Sequence, residues 1–203
     1  DGTTLVVGDV DGTIHLLDLL GDVPLRSWSA HDGPVLALAF APDGRRFVSG
    51  GADWRVRLWR LGETEPLGEW QHDEWVNALA FSTDGSRIAS GGAFLNIHLG
   101  RPEAQPDRLI PSAHAHWING LAFVKRGRVL ISGGNDAAVR FWDADSGQEL
   151  ATLTSHGGPV HTIDVSDDGR YLAVGAVNAV QLIDLEASAS LIPTAEAVGA
   201  ERD

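Results

Sequence analysis

The sequence contains no cysteine, no methionine, one lysine and one tyrosine. Without cysteine there is no disulfide framework, no thiolate nucleophile and no thiolate zinc site, a usage that fits a reducing compartment and predicts a cytoplasmic location. Basic residues are scarce too: Lys125 and fourteen arginines face 28 acids, for a formal charge of -13. No basic cluster interrupts that balance, so nucleic acid and anionic membrane surfaces are excluded as expected partners. Apolar runs never exceed strand length, so neither a membrane-spanning helix nor a signal peptide is expected within these residues. The chain starts at Asp1 with no initiator methionine, and the expectation is a piece of a longer protein. What remains is ordinary: 203 residues, 43% hydrophobic and 21% charged, enough to bury a globular core.

Residues 31 to 60, HDGPVLALAFAPDGRRFVSGGADWRVRLWR, hold a histidine, an alternating apolar run, a Pro-Asp-Gly turn, a run ending Ser-Gly-Gly, an Asp turn and a run closing on Trp59. The pattern recurs from His72, His114 and His156, at spacings of 41, 42 and 42 residues, the period of four-stranded propeller blades. Runs of five to seven residues rich in Val, Ile, Leu and aromatics, cut every few residues by Gly and Asp turns, predict strands. The register predicts a partial blade over 1–30 lacking its first strand, then blades over 31–71, 72–113, 114–155 and 156–194, and a tail or linker over 195–203. The third blade loses its pattern after position 93 and gains Pro102, Pro106 and Pro111. Its outer half is expected to be irregular, because proline cannot donate to a ladder. ASLIPTA, 189–195, is the expected outer strand of the fifth blade.

With Phe-Ala-Pro-Asp-Gly at 40–44, Leu-Trp-Arg at 58–60 and Phe-Trp-Asp at 141–143 in one register, residues 3 to 186 resemble the WD-repeat β-propeller family. The resemblance implies an all-β propeller of four-stranded antiparallel blades, four full and one partial here. Such rings commonly close with seven blades in that family, so the remaining blades or a second chain are expected to complete it. It also implies a non-catalytic scaffold for a protein or peptide, with no cofactor. The bacterial type of this propeller is often appended as a sensor to ATPase, kinase, Toll-like or cytochrome c domains.

His31, Ser49, Asp53 and Trp59 are matched at identical spacing by His114, Ser132, Asp136 and Trp142, and in part by His72 and Ser90. Ser, His and Asp are the parts of a hydrolase triad, but a nucleophile is needed once and this set is written twice. The family resemblance implies a structural relay, Trp donating to Ser, Ser to His and His to Asp, which agrees with the donor and acceptor capacity of each group. Phe94 and Gly100 stand at the Asp and Trp positions of the third blade, which is therefore expected to be the most mobile. Val174 and Ile183 replace Ser and Trp in the fifth, and Val7 and Leu17 in the first.

Three residues after each histidine stand Pro34, Trp75, Trp117 and Pro159, and two further on Leu36, Asn77, Asn119 and His161. Trp75, Asn77, Trp117 and Asn119, with Trp54, Phe94 and His161 nearby, form the expected partner-binding rim. The opposing reading is that duplicated repeats simply keep duplicated residues. Asp73 and Glu74 beside Trp75 would favour a basic partner. The alternative function is a propeller hydrolase using His161 and Asp164 in the central channel. No metal is expected: His114, His116, His156 and His161 lack a completing carboxylate or thiolate, and Asp9-Val-Asp11-Gly12 lacks the remaining ligands of a calcium loop.

Overall fold

The computed structural model describes residues 3–21, 24–93, 95–102, 104–154 and 157–188. These form five antiparallel sheets. The first holds β1 (Thr4–Gly8), β2 (Thr13–Asp18) and β3 (Pro24–Ser29), and the second β4 (Val35–Phe40), β5 (Arg46–Gly51), β6 (Arg55–Arg60) and β7 (Gly68–Gln71). The third holds β8 (Val76–Phe81), β9 (Ile88–Gly92), β10 (Ile97–Gly100) and β11 (Arg108–Ile110). The fourth holds β12 (Ile118–Val124), β13 (Val129–Gly134), β14 (Val139–Asp143) and β15 (Glu149–Leu153). The fifth holds β16 (Val160–Val165), β17 (Tyr171–Ala176) and β18 (Val180–Asp184). Strands pair in chain order within every sheet, the result of tight turns with no crossover. No α-helix occurs among the described residues. The expected fifth-blade strand at 189–195 and the tail at 195–203 lie outside the described residues, as do His156 and Phe94.

The sheets stack face to face, each sharing apolar side chains with its neighbours. Val6, Ile14 and Trp28 of the first meet Phe47 and Trp59 of the second. Val48, Val56 and Trp70 then meet Val76 and Ile88 of the third. Ala78, Leu99 and Ile110 meet Leu121, Phe123 and Trp142 of the fourth, and Ile131, Val139 and Phe141 meet Val160, Leu172 and Val174 of the fifth. Such a stack is stabilised between neighbours, as in other repeat proteins.

Ser-Gly-Gly makes that stacking close. A Cβ built on Gly50 would stand 2.5 Å from Val76 Cγ1, and one on Gly133 would stand 2.7 Å from Val160 Cγ1. The first glycine therefore lets the next sheet's inner strand approach, which a side chain would forbid.

In the third sheet the outer half consists of two short strands, β10 and β11, of four and three residues. Between them stand Pro102, which is buried, and Pro106. A Cβ on Gly100 would lie 2.8 Å from Pro106 Cα, so proline stands against the residue that replaces tryptophan. The Gln105 side-chain amide donates to the Glu69 carbonyl of the second sheet at 2.9 Å. The fourth sheet's Lys-Arg-Gly turn is a 3-10 turn, Lys125–Gly127, in which all three residues have positive φ, 52°, 56° and 81°.

Candidate functional site

In the second and fourth sheets the chain enters the inner strand from a histidine, and the second glycine of Ser-Gly-Gly, Gly51 or Gly134, makes room for that ring. In the second sheet the Trp59 indole N–H donates to Ser49 Oγ at 2.8 Å. Ser49 Oγ lies 2.7 Å from His31 Nε2, and His31 Nδ1 lies 2.8 Å from Asp53 Oδ1. In the fourth sheet Trp142 donates to Ser132 at 2.8 Å, Ser132 meets His114 Nε2 at 2.7 Å, and His114 Nδ1 meets Asp136 Oδ1 at 2.8 Å. Carboxylate accepts and indole N–H donates, so a neutral imidazole protonated on Nδ1 and accepting from serine at Nε2 completes the relay; Arg57 and Arg140 Nη1 stand 2.9 and 2.7 Å from the two Nδ1 atoms. Burial holds both histidines below the usual imidazole range, against the opposing pull of Asp53 and Asp136. Burial works against the charge of Asp53 and Asp136, yet hydrogen bonds from histidine, arginine and backbone N–H keep both carboxyls below their ordinary range.

Sequence reasoning missed the arginines. Arg57 Nη1 donates to Asp53 Oδ2 at 2.8 Å and to the Ala30 carbonyl at 2.7 Å, while its Nε donates to Glu69 Oε2 at 2.6 Å. Arg140 repeats the first contact with Asp136 Oδ2 at 2.7 Å and lies 3.7 Å from Glu149. The signal was the twice-written Asp-x-x-x-Arg, 53 to 57 and 136 to 140. Each relay thus ends in a compensated ion pair and not in a lone buried carboxylate. Ser49 and Ser132 are both 0% exposed, so no substrate can reach either hydroxyl, and the resemblance to a hydrolase triad stops at the hydrogen bonds.

The third sheet has a reduced version. His72 Nε2 meets Ser90 Oγ at 2.8 Å, but the cross-strand partner of Ser90 is His98, where Ser49 and Ser132 face Arg57 and Arg140. The two imidazole centroids are 4.1 Å apart. Burial, then the neighbouring His98, pushes His72 down to about 3. His98 is also lowered by burial, against the pull of Asp73.

The rim residues are placed by a feature the sequence did not reveal. Every inner strand from β4 onward is bulged after its first residue: pairing jumps from Val35 to Ala37, Val76 to Ala78, Ile118 to Gly120 and Val160 to Thr162. The skipped residues are Leu36, Asn77, Asn119 and His161. A bulge leaves its extra residue unpaired and re-aims the side chain. Trp75 and Trp117, two positions earlier, meet edge to face with centroids 6.3 Å apart, 45% and 41% exposed. His116 packs beside Trp117 at 5.7 Å. Trp54 is 42% exposed and adopts a left-handed φ of 67°, and its carbonyl accepts from the His72 N–H at 2.7 Å.

The two asparagines differ. Asn119 Nδ2 donates to Asn135 Oδ1 at 2.5 Å and to the Val160 carbonyl at 2.8 Å, tying the fourth sheet to the fifth. Asn77 is half-buried and its side chain has no hydrogen bond among the described residues. Asp73 is exposed and Glu74 half-buried, and neither makes a hydrogen bond or ion pair among the described residues. His161 and Asp164 are both exposed and no hydrogen bond joins them. The Asp9 carboxylate caps its own hairpin, accepting from the N–H groups of Asp11 and Thr13 at 2.9 and 2.8 Å. Among the described residues no cluster of three metal-ligating side chains forms, and no helix is long and apolar enough to cross a membrane.

Antiparallel sheets stacked in sequence, three of them opening on a buried histidine, His31, His72 or His114, define an array of β-propeller blades. The chain belongs to the WD domain, G-beta repeat family, whose model matches residues 22–60, 64–93, 108–143 and 147–179, more than half of its length. Among its relatives, the WD repeat-containing protein 91 homolog of Dictyostelium discoideum is 37% identical over 60 residues, 30% of this chain and 8% of the relative. WD repeat-containing protein 3 of Mus musculus is 40% identical over 55 residues, 27% of this chain and 6% of the relative. The serine-threonine kinase receptor-associated protein of Rattus norvegicus is 33% identical over 67 residues, 33% of this chain and 19% of the relative. The matched stretches span less than a fifth of these relatives' length.

Proposed function

We propose that the chain is a non-catalytic interaction scaffold whose tryptophan rim holds a protein or peptide. The observation that carries this reading is the edge-to-face pair of Trp75 and Trp117, each more than 40% exposed. Large indoles exposed together are a poor use of apolar area unless something covers them. Asp73 and Glu74, with no ion pair of their own, favour a basic segment, and Asn77 supplies an amide without a hydrogen-bond partner among the described residues. Membership of a WD-repeat family supports a scaffold role in general, since loops on a rigid framework carry binding in such folds. As a piece of a larger propeller, the chain would receive further blades on the outer faces of its first and fifth sheets. Those faces expose Leu5, Val7, Val180 and Leu182.

The test is selection of a displayed random peptide library on the whole chain, followed by binding measurements on the double variant Trp75→Ala, Trp117→Ala. Selected peptides are expected to carry lysine or arginine and to lose affinity at least about tenfold in the variant, with the melting temperature unchanged. Unaltered affinity in a folded variant overturns the rim as the site.

A further inference from the structure

A second site lies at the far end of the third sheet, where β8 ends away from the tryptophan rim. There the third and fourth sheets part to leave a cleft of about 330 Å³. Three arginines line it, Arg87, Arg101 and Arg108, together with Asp107 and Asp145. The chain has only 15 lysines and arginines against 28 acids, so three guanidinium groups around one cleft run against the charge of the whole molecule.

Their bonding leaves donors free. Arg87 Nη1 donates to the Ala144 carbonyl at 2.9 Å, and its other terminal nitrogen pairs with Asp145. That pair spans the two sheets and uses up the Asp145 charge. Arg108 Nη1 donates to the Ser146 carbonyl at 3.0 Å and keeps its remaining N–H groups, of the five a guanidinium carries. Arg101 is exposed and its side chain has no hydrogen bond or ion pair among the described residues. Asp107 is the opposing charge, its carboxylate also without an ion pair among them.

The backbone fixes where Arg101 and Arg108 leave the chain. Arg101 and Arg108 flank the two ends of the β10–β11 connection. Leu99 is the cross-strand partner of Arg108, and the Asp107 N–H donates to the Leu99 carbonyl at 3.1 Å. Pro102 and Pro106 fix φ within the connection. Backbone positions set before binding reduce the entropy lost when a ligand arrives.

We propose that this cleft binds a phosphomonoester, with Arg101 and Arg108 as its principal ligands and Arg87 as the fixed wall. The planar guanidinium fork matches phosphate oxygens in paired hydrogen bonds, and a dianion satisfies two such groups together. The cleft has room for the group that carries the phosphate, whether the side chain of a phosphorylated protein or a small phosphate compound. The site is separate from the tryptophan rim and stands or falls without it.

The experiment titrates the whole chain with inorganic phosphate, with phosphoserine, and with a short phosphoserine peptide beside its unphosphorylated form, followed by NMR of the arginine Nε–H groups. Arg101 and Arg108 signals are expected to shift with the phosphate-bearing probes and not with the unphosphorylated peptide. Arg101→Gln and Arg108→Gln should each weaken binding about tenfold, the loss of a charge-assisted contact. Asp107→Asn should tighten binding by removing the opposing charge. The double variant Trp75→Ala, Trp117→Ala should leave it unchanged. A peptide that binds better than inorganic phosphate identifies a phosphorylated protein as the source, and equal binding identifies the free anion. The proposal is overturned if none of the probes shifts these signals at about 10 mM, a generous excess for millimolar affinity. It is equally overturned if a folded double variant Arg101→Gln, Arg108→Gln binds like the parent chain.

Discussion

His31 reaches Ser49 because Gly51 has no side chain. A Cβ there would stand 2.5 Å from His31 Nδ1, and one on Gly134 would stand equally close to His114 Nδ1. Serine to bond the ring, glycine to admit the next sheet and glycine to seat the ring are three separate requirements met by three consecutive residues. Replacing His114 with alanine would strand Ser132 and unbalance Asp136 and Arg140 inside the fold. Its expected cost is about 1–3 kcal/mol, read from urea unfolding midpoints at constant slope. A cost below about 0.5 kcal/mol would mean that water takes over the bonds. Apolar replacement of a whole network is cheaper than loss of one member, as in the fifth sheet, where Val174 is fully buried at the serine position. Trp54 is the opposite case. Its left-handed φ of 67° is matched by Gly12 at 82° and Ala137 at 62° in the equivalent turns, so the fold needs the conformation and not the indole. A bulky residue there is strained by about 1 kcal/mol or more. Trp54→Gly is accordingly expected to be at least as stable as the parent in thermal unfolding while binding rim peptides less tightly. A destabilised glycine variant would assign Trp54 a packing role instead.

At the scale of the sheet, the third is the one with a different electrostatic character. With no arginine opposite Ser90 and His98 in its place, the buried pair is neutral, and His72 is pushed down to about 3. Above the ordinary imidazole value of 6.5 the ring is neutral in folded and unfolded chains alike. As pH falls below 6.5 the unfolded chain takes up a proton that the folded chain excludes, so stability declines toward pH 3. His31, His114 and His98, lowered in the same direction, add to that decline. His72→Gln is expected to flatten the pH dependence of the unfolding free energy between about pH 6.5 and 4. An unchanged slope would show that His72 is not protonated on unfolding. Repetition explains what the sequence made readable at this scale. A strand run, a Pro-Asp-Gly turn or a His-to-Ser step seen once is ambiguous, but at constant spacing it fixes register. The bulges at Leu36, Asn77, Asn119 and His161 have no composition of their own, because they exist only in the pairing of two strands. The pairing of Arg57 with Glu69 is equally hidden, since the two meet across β6 and β7, whereas Arg57 itself is legible in the twice-written Asp-x-x-x-Arg. Read along the chain, the prolines after position 93 are breakers of the ladder. In three dimensions Pro106 stands against Gly100, while the short strands form on either side of the turn.

For the whole molecule, the decisive fact is that each apolar cluster is shared by adjacent sheets. The second and fourth sheets each have a complete relay, and the third sheet stands between them. No side chain of the His31 network touches the His114 network: the first extends to Arg57 and Glu69, the second to Arg140 and Glu149. Energetic coupling between the two must therefore travel through the third sheet, whose own relay stops at His72 and Ser90. Substitutions that are distant and share no partner add to within about 0.5 kcal/mol. The double variant His31→Ala, His114→Ala is thus expected to lose the sum of the two single losses in urea unfolding, provided each curve remains a single transition. Pairing His31→Ala with Gly51→Ala should not be additive, because the alanine methyl enters the space the imidazole has vacated. A coupling above about 1 kcal/mol between His31 and His114, which do not touch, would mean that the third sheet transmits strain as a rigid body. It would then be a mechanical link between the blades on either side, despite its shortened relay.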